Sequence, residues 1–225
     1  MRVGVLALQG GFEPHVAMLA RIGVRAEQVR RPEQIEELSH LVLPGGESTT
    51  LHRLLELFGM GERIARRYRD GQLVLFGTCA GAILLGRGDG SRPPRMELLD
   101  ARLVRNAYGT QLDSRIARTE VLGRTMDCTL IRAPRITAFG AAVRVLATLD
   151  GDPILVEQDE LLAATFHPEL SDDSRIHERF LAIEPRSSSS AIDTSSLQVV
   201  TTLLSAAAGR KSPRSASSAH SRLDA

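Results

Sequence analysis

Cys79 lies between two glycines at a point where an apolar run is followed by a second one. The segment Gly77-Thr-Cys-Ala-Gly81 comes directly after Leu73–Phe76. A Gly-x-Cys-x-Gly pattern between a strand and a helix is typical of a nucleophile elbow with cysteine in place of serine. A sulfur beside a helix N-terminus is favoured as the thiolate, which is the nucleophilic form. The pattern therefore predicts a reactive cysteine that needs a base.

His167 and Glu169 are the candidates for that base and for the group that orients it. They follow the apolar run Leu161–Thr165, and Pro168 between them favours extended backbone at His167. Side chains two residues apart in an extended segment project to the same side. We therefore expect the imidazole to face Cys79 while the carboxylate holds it, as in a Cys-His-Glu triad.

Cysteines and histidines without such a pattern are more often inert packing residues. We expect Cys128 to be a strand residue that faces the core. The remaining histidines have no recognisable partner, and we expect them to be surface or packing residues: His15, His40, His52, His177 and His220.

The loop Leu43-Pro-Gly-Gly-Glu-Ser48 is the second segment that could act in a reaction. Its glycines allow the backbone to approach a ligand closely and to direct N–H groups at it. With a cysteine nucleophile, the N–H groups of Gly45, Gly46 and Ala80 could form an oxyanion hole. Losing one such donor typically lowers the rate by ~10²–10³. Ser48 could instead serve only to cap the following helix.

Composition narrows the class of protein. The chain has 225 residues, 43% of them hydrophobic. Its formal net charge is +1, so we do not expect a strong positive electrostatic potential that would attract nucleic acid. The first residues predict a strand rather than a signal peptide, and no apolar run approaches the ~20 residues that span a bilayer. Two cysteines suit a reducing cytoplasm. The single lysine, Lys211, excludes Schiff-base and P-loop chemistry from residues 1–210.

Strands and helices alternate in the first half, which predicts a parallel sheet covered on both faces. Short strands joined by turns follow, including one at Thr129–Arg132, and predict an antiparallel or mixed addition. A helix over Asp172–Ile183, capped by Ser171 or Asp172, would close the domain. We thus predict a folded domain over residues 1–184 and a Ser-rich, disordered extension over 185–225.

Taken together, these segments resemble the class I (triad-type) glutamine amidotransferases and, more narrowly, the glutaminase subunits of pyridoxal 5′-phosphate synthase. The resemblance extends from residue 1 to about residue 184. It implies a three-layer, flavodoxin-like α/β fold with a mixed central sheet flanked by helices. The segments that carry it are Gly4–Gly10, Arg31–Glu33, Leu43–Thr50, Phe76–Gly81, Arg105–Gly109, Gln111–Ser114, Ile131–Pro134 and Phe166–Leu170.

The resemblance also implies the reaction. Cys79 would attack the side-chain amide of glutamine, His167 would transfer protons, and water would release glutamate. Ammonia would pass to a synthase subunit that builds pyridoxal 5′-phosphate, with no cofactor or metal, and with no nucleic-acid or membrane partner. A guanidinium such as Arg105 suits the α-carboxylate of glutamine. The residues implied to line the glutamine site are Gly46, Glu47, Ser48, Arg105, Ile131 and Arg132.

Two other functions remain open from the residues. One is a stand-alone amidase or γ-glutamyl hydrolase on the same scaffold, and the other is a non-catalytic interaction subunit. A zinc deaminase is excluded because no Pro-Cys-x-x-Cys follows the His-Pro-Glu segment. The chain departs from the family pattern at Thr110 and Arg115, where we expect effects on partner docking or on the glutamine pocket rather than on the triad.

Overall fold

The computed structural model describes residues 1–88, 96–105 and 114–186. Eleven strands lie in these ranges. They are β1 (Val3–Leu6), β2 (Glu27–Val29), β3 (His40–Leu43), β4 (Val74–Thr78), β5 (Ala101–Val104), β6 (Arg115–Val121), β7 (Arg124–Leu130), β8 (Arg135–Phe139), β9 (Arg144–Leu149), β10 (Asp152–Gln158) and β11 (Leu161–Ala164).

Five α-helices accompany these strands in the described ranges, together with two short 3-10 helices at Pro32–Glu37 and Pro168–Leu170. Within the described residues, no helix is both long enough and apolar enough to cross a membrane. The α-helices are α1 (Phe12–Arg21), α2 (Ser48–Leu57), α3 (Met60–Arg69), α4 (Ala80–Leu85) and α5 (Arg175–Leu181).

A seven-stranded sheet forms the centre, in the order β2-β1-β3-β4-β11-β10-β9. The first five strands in this order are parallel, and β10 runs antiparallel to both of its neighbours, β11 and β9. The pairs β5 with β8 and β6 with β7 form two separate two-stranded antiparallel sheets, so among the described strands only β10 and β9 extend the central sheet in the way the sequence predicts. The mixed central sheet predicted from the sequence is therefore confirmed.

Successive residues of the central strands enter different hydrophobic clusters, because side chains alternate along a strand. Leu75 of β4 lies in a cluster with residues of α2, α3 and α4, whereas Phe76 lies in a second cluster with residues of α1 and α5. Both faces of the sheet are thus covered, which explains the continuous apolar runs of these strands. The predicted three-layer α/β arrangement is confirmed.

Several boundaries differ from the prediction. Strand β7 ends at Leu130 rather than reaching Arg132, and β6 was not predicted at all. Most residues of β6 are exposed, so it lacks the apolar signal of a buried strand. Arg115, its first residue, forms an ion pair with Asp150 at 2.5 Å.

The last helix begins later than predicted, at Arg175. Ser174 occupies the N-cap position, so the prediction of Ser171 or Asp172 as the cap is wrong. Ser171 instead accepts a hydrogen bond from the backbone N–H of Asp173 (3.2 Å), which holds the preceding residues in a turn. Of the predicted extension 185–225, residues 187–225 lie outside the described part of the chain.

Gly81 in α4 provides a test of the packing between this helix and β3. A Cβ at this position would lie 2.0 Å from the carbonyl oxygen of Leu43. We expect Gly81→Ala to lower the free energy of unfolding by about 2–3 kcal/mol, since backbone atoms must move. Urea denaturation would measure the change.

Gly61→Ala is the matched control, because Gly61 is also helical and its Cβ would meet only Leu55 at 3.8 Å. This control should be as stable as the parent chain or slightly more stable. Equal unfolding midpoints for the two variants would contradict the packing argument.

Candidate active site

Cys79 occupies a sharp turn between β4 and α4. Its backbone has φ 46° and ψ −103°, a conformation that costs on the order of 1–3 kcal/mol for a residue other than glycine. The backbone N–H of Cys79 donates to the carbonyl of Ala164 at 2.9 Å. A Cβ on Gly77 would lie 2.8 Å from the backbone nitrogen of Ala82, so the turn requires a bare backbone there.

His167 and Glu169 contact each other directly, with 2.8 Å between Nδ1 and Oε1. The prediction that both lie in an extended segment is wrong for Glu169, which belongs to the 3-10 helix Pro168–Leu170. The fixed φ of proline suits the first position of a helical turn, and this explains the difference. The backbone N–H of His167 donates to the backbone carbonyl oxygen of Thr129 at 2.9 Å, and this hydrogen bond anchors the histidine to β7.

Cys79 and His167 line one wall of a cavity of about 200 Å³. The Cys79 Sγ lies 3.9 Å from the carbonyl oxygen of Ile131. Every residue predicted to line a glutamine site reaches this cavity, together with Ile83, which was not predicted. Its lining residues are Gly46, Glu47, Ser48, Cys79, Ile83, Arg105, Ile131, Arg132 and His167.

The surroundings of His167 favour its charged form. Burial alone would lower its pKa, but hydrogen bonds with Cys79 and Glu169 raise the pKa of His167 to about 10. Burial would likewise raise the pKa of Glu169, but the histidines His15 and His167 hold that pKa below its usual value. At neutral pH the imidazolium and the carboxylate therefore form a charged pair beside the sulfur.

Cys128 has the opposite character. It is a fully buried residue of β7, as predicted, and burial is the main cause that raises the pKa of its thiol to about 11. A buried thiol without a cationic partner of this kind stays protonated and inert. Both cysteines of the chain are buried, but Cys79 has the imidazolium of His167 beside it and Cys128 does not.

The loop with Gly45 and Gly46 is held from the end of β1. Gly11 donates its backbone N–H to the carbonyl oxygen of Gly45 at 3.0 Å, and the Gln9 amide donates to the carbonyl oxygen of Glu47 at 3.1 Å. The carbonyl and N–H of one trans peptide point in opposite directions. The N–H of Gly46 is therefore directed away from Gly11.

Glu47 is the residue that caps α2, and not Ser48. Its carboxylate accepts hydrogen bonds from the backbone N–H groups of Thr49 (3.0 Å) and Thr50 (2.7 Å). Although burial opposes the shift, these hydrogen bonds lower the pKa of Glu47 to about 2. The guanidinium of Arg105 lies 3.7 Å from the same carboxylate. The rest of the predicted Arg105–Gly109 motif, Thr110, and residues 111–113 lie outside the described residues.

Two histidines expected to be surface or packing residues form part of this region. His15 Nδ1 lies 2.9 Å from His177 Nε2, and His15 Nε2 lies 3.3 Å from Glu169 Oε2. His15 and His177 are 162 residues apart in sequence. No local spacing could have linked them, because their contact depends on α1 and α5 sharing one face of the sheet.

The family model of the SNO glutamine amidotransferases matches residues 5–184. The chain belongs to this family. The family's relatives include a Thermus thermophilus protein, 46% identical over 184 residues, with 80% of this chain and 96% of the relative covered. A Chloroflexus aurantiacus protein is 47% identical over 193 residues, covering 81% of this chain and 100% of that one. Both relatives are named pyridoxal 5′-phosphate synthase subunit PdxT.

Solved structures agree with membership of the SNO glutamine amidotransferase family. A crystal structure described as a glutamine amidotransferase is 44% identical and superposes with a TM-score of 0.78, covering 81% of this chain and 98% of that one. PurLQS from Thermotoga maritima has a TM-score of 0.60 at 14% identity, covering 80% of this chain and 97% of that chain, and supports the fold alone.

The contrast between the two cysteines of this SNO-family chain gives a prediction. Near neutral pH, iodoacetamide should alkylate Cys79 in preference to Cys128, because only Cys79 has an imidazolium beside it. We expect His167→Gln to slow alkylation of Cys79 by roughly tenfold, since it removes that charge. Mass spectrometry of peptides from a time course would measure both rates. Equal labelling of the two cysteines in the parent chain would contradict the assignment.

Proposed function

We propose that this protein hydrolyses L-glutamine to L-glutamate and ammonia, with Cys79, His167 and Glu169 as the catalytic triad. The observation that carries the proposal is the charged His167–Glu169 pair beside the strained Cys79. These residues lie at a cavity lined by the residues that the resemblance implies for a glutamine site. Membership of the glutamine amidotransferase family supports the same reaction.

The chemistry follows from the charges. With a proton on His167, the Cys79 sulfur attacks the side-chain amide carbon as a thiolate, and a tetrahedral oxyanion forms. His167 then donates its proton to the leaving ammonia, and Glu169 stabilises the imidazolium. Water activated by the neutral His167 hydrolyses the γ-glutamyl thioester and releases glutamate.

The oxyanion would be bound by backbone N–H groups of Gly45, Gly46 and Ala80. Gly46 lines the same cavity as Cys79, which supports its part in this role. Arg105 and Arg132 would bind the α-carboxylate of glutamine, since a guanidinium matches a carboxylate in geometry and charge. A cavity of about 200 Å³ suits an amino acid rather than a large substrate.

We also propose that the ammonia passes to a synthase subunit for the formation of pyridoxal 5′-phosphate in the cytoplasm. The relatives named pyridoxal 5′-phosphate synthase subunit PdxT support this role. The composition supports it independently, because imine chemistry on sugar phosphates needs lysine and residues 1–210 contain none. The lysine chemistry would then belong to the partner.

The nucleophile can be tested directly. Cys79→Ala should abolish ammonia release from glutamine in the presence of the synthase partner while leaving the unfolding midpoint nearly unchanged. Cys128→Ala is the control, and it should retain glutaminase activity because Cys128 lies away from the cavity. A coupled glutamate dehydrogenase assay would measure turnover. Full activity of the Cys79 variant would contradict the proposed triad.

The same assay separates ammonia supply from a stand-alone amidase. An amidotransferase subunit should release ammonia faster with the partner than without it, and pyridoxal 5′-phosphate should form from glutamine nitrogen. Equal rates in both states, with no transfer of labelled nitrogen, would favour the stand-alone amidase.

We further propose that residues 1–184 are the amidotransferase domain. The family model ends at residue 184, and the described contacts extend to Arg186, which pairs with Glu160 at 2.9 Å. A chain that stops after Arg186 should keep this ion pair, the unfolding midpoint and the glutaminase rate of the full chain. A second truncation after Leu181 removes that pair and should be less stable. Loss of activity in the chain that stops after Arg186 would contradict the proposed boundary.

A further inference from the structure

The second oxygen of Glu169 is buried beside a histidine that the proposed reaction does not use. Its Oε1 contacts His167, while its Oε2 has no well-directed hydrogen bond within the described residues. The side chain of Glu169 is only 1% exposed. Leaving a buried carboxylate oxygen without a donor costs free energy. The His15 Nε2 lies 3.3 Å from this oxygen.

His15 lies at the centre of a buried cluster behind the active site. The residue is 0% exposed, and its Nε2 is 3.1 Å from Thr78 Oγ1, directly before Cys79. Its Nδ1 lies 2.9 Å from Nε2 of His177, another fully buried residue. Phe76 packs against both imidazoles edge-on. The cluster therefore joins α1, α5 and β4 to the carboxylate of the triad.

Two independent observations decide where the protons of this cluster lie. A lone pair on His15 Nε2 would lie only 3.3 Å from the negative Glu169 Oε2 and would be repelled by it, so the electrostatics favour a proton on that nitrogen. Nδ1 of His177 has no partner within the described residues, so a proton there would be a buried N–H without an acceptor. The proton of His177 therefore lies on Nε2, and it is donated to His15 Nδ1.

Both histidines stay neutral. Burial, opposed in part by Glu169, lowers the pKa of His15 to about 4, and burial together with His15 lowers the pKa of His177 to about 3. The described titratable groups in contact with or close to His15 are Glu169, His167 and His177. A neutral imidazole with a fixed tautomer can direct an N–H at Glu169 without neutralising its charge.

We propose that His15 is a positioning residue for the triad, and that His177 fixes the tautomer in which the His15 Nε2–H donates to Thr78 and lies beside Glu169 Oε2. This inference rests on the proposed glutaminase function. The His15 N–H restrains the carboxylate oxygen that His167 leaves uncontacted, so the carboxylate cannot rotate away from the imidazole. The Thr78 contact links the same N–H to the residue before the nucleophile.

Kinetics of paired variants test the proposal. His15→Leu removes the donor, whereas His15→Gln retains an N–H that can reach the carboxylate. We expect His15→Leu to lower kcat for glutamine roughly tenfold or more with little change in KM, and His15→Gln to restore most of the rate. His177→Leu and His177→Gln should behave in the same order, because only glutamine can donate to His15 Nδ1.

The pH profile distinguishes positioning from core packing. Without the His15 N–H, the ionised form of Glu169 is less stabilised, so its pKa rises. The triad requires this carboxylate ionised, so the acid limb of kcat should move to higher pH in His15→Leu. A His15→Leu variant that keeps the kcat and acid limb of the parent chain, and is merely less stable, would overturn the proposal.

Nuclear magnetic resonance provides a test that does not depend on folding of the leucine variants. Two-bond ¹H–¹⁵N correlation spectra of the histidine-labelled parent chain report which ring nitrogen is protonated, and His15→Gln and His177→Gln assign the signals. We expect both histidines to be neutral with the proton on Nε2. A proton on His15 Nδ1 would overturn the proposal.

The two proposals fail in different ways. If the parent chain with its synthase partner released no ammonia from glutamine, the proposed function would be wrong, and the role of His15 in that reaction would fall with it. If glutamine turned over but the tautomer or the variant order were wrong, only the role of His15 would fall.

Discussion

The close approach of α4 to β3 is the contact on which the rest of the site depends. Gly81 lies against the Leu43 carbonyl so tightly that an added Cβ would be 2.0 Å from its oxygen. Leu43 is the last residue before the Pro44-Gly45-Gly46 loop, and Gly81 follows Cys79 by two residues. One backbone contact thus sets the distance between the nucleophile turn and the glycine loop.

Two further glycines extend this arrangement across the carboxyl ends of the parallel strands. A Cβ on Gly45 would lie 2.4 Å from His167 Cε1, and a Cβ on Gly10 would lie 2.0 Å from the Gly45 carbonyl oxygen. The segments after β1, β3, β4 and β11 can meet only because these positions carry no side chain. Ligands of open α/β sheets bind at this end of the strands, which agrees with the cavity found here.

The sequence was sufficient to predict the features that depend on local signals. The turn at Cys79 is marked by its flanking glycines, and the buried parallel strands appear as apolar runs. Strand β6 could not be found in this way, because its side chains are mostly exposed. The contact of His15 with His177 was also inaccessible, since it depends on two helices 162 residues apart lying on the same face of the sheet.

The two buried histidines His15 and His177 and the partly buried His167 show how the surroundings decide the charge of one residue type. Burial lowers the pKa of each, but only His167 has hydrogen bonds to both Glu169 and Cys79, and its pKa rises to about 10. His15 shares the carboxylate at a longer distance and contacts a neutral ring, so burial prevails. The positive charge is therefore confined to the imidazole that faces the cavity. A positive charge on His15 would repel the imidazolium of His167 and disfavour its charged form, so a neutral His15 preserves the pair that acts on the sulfur.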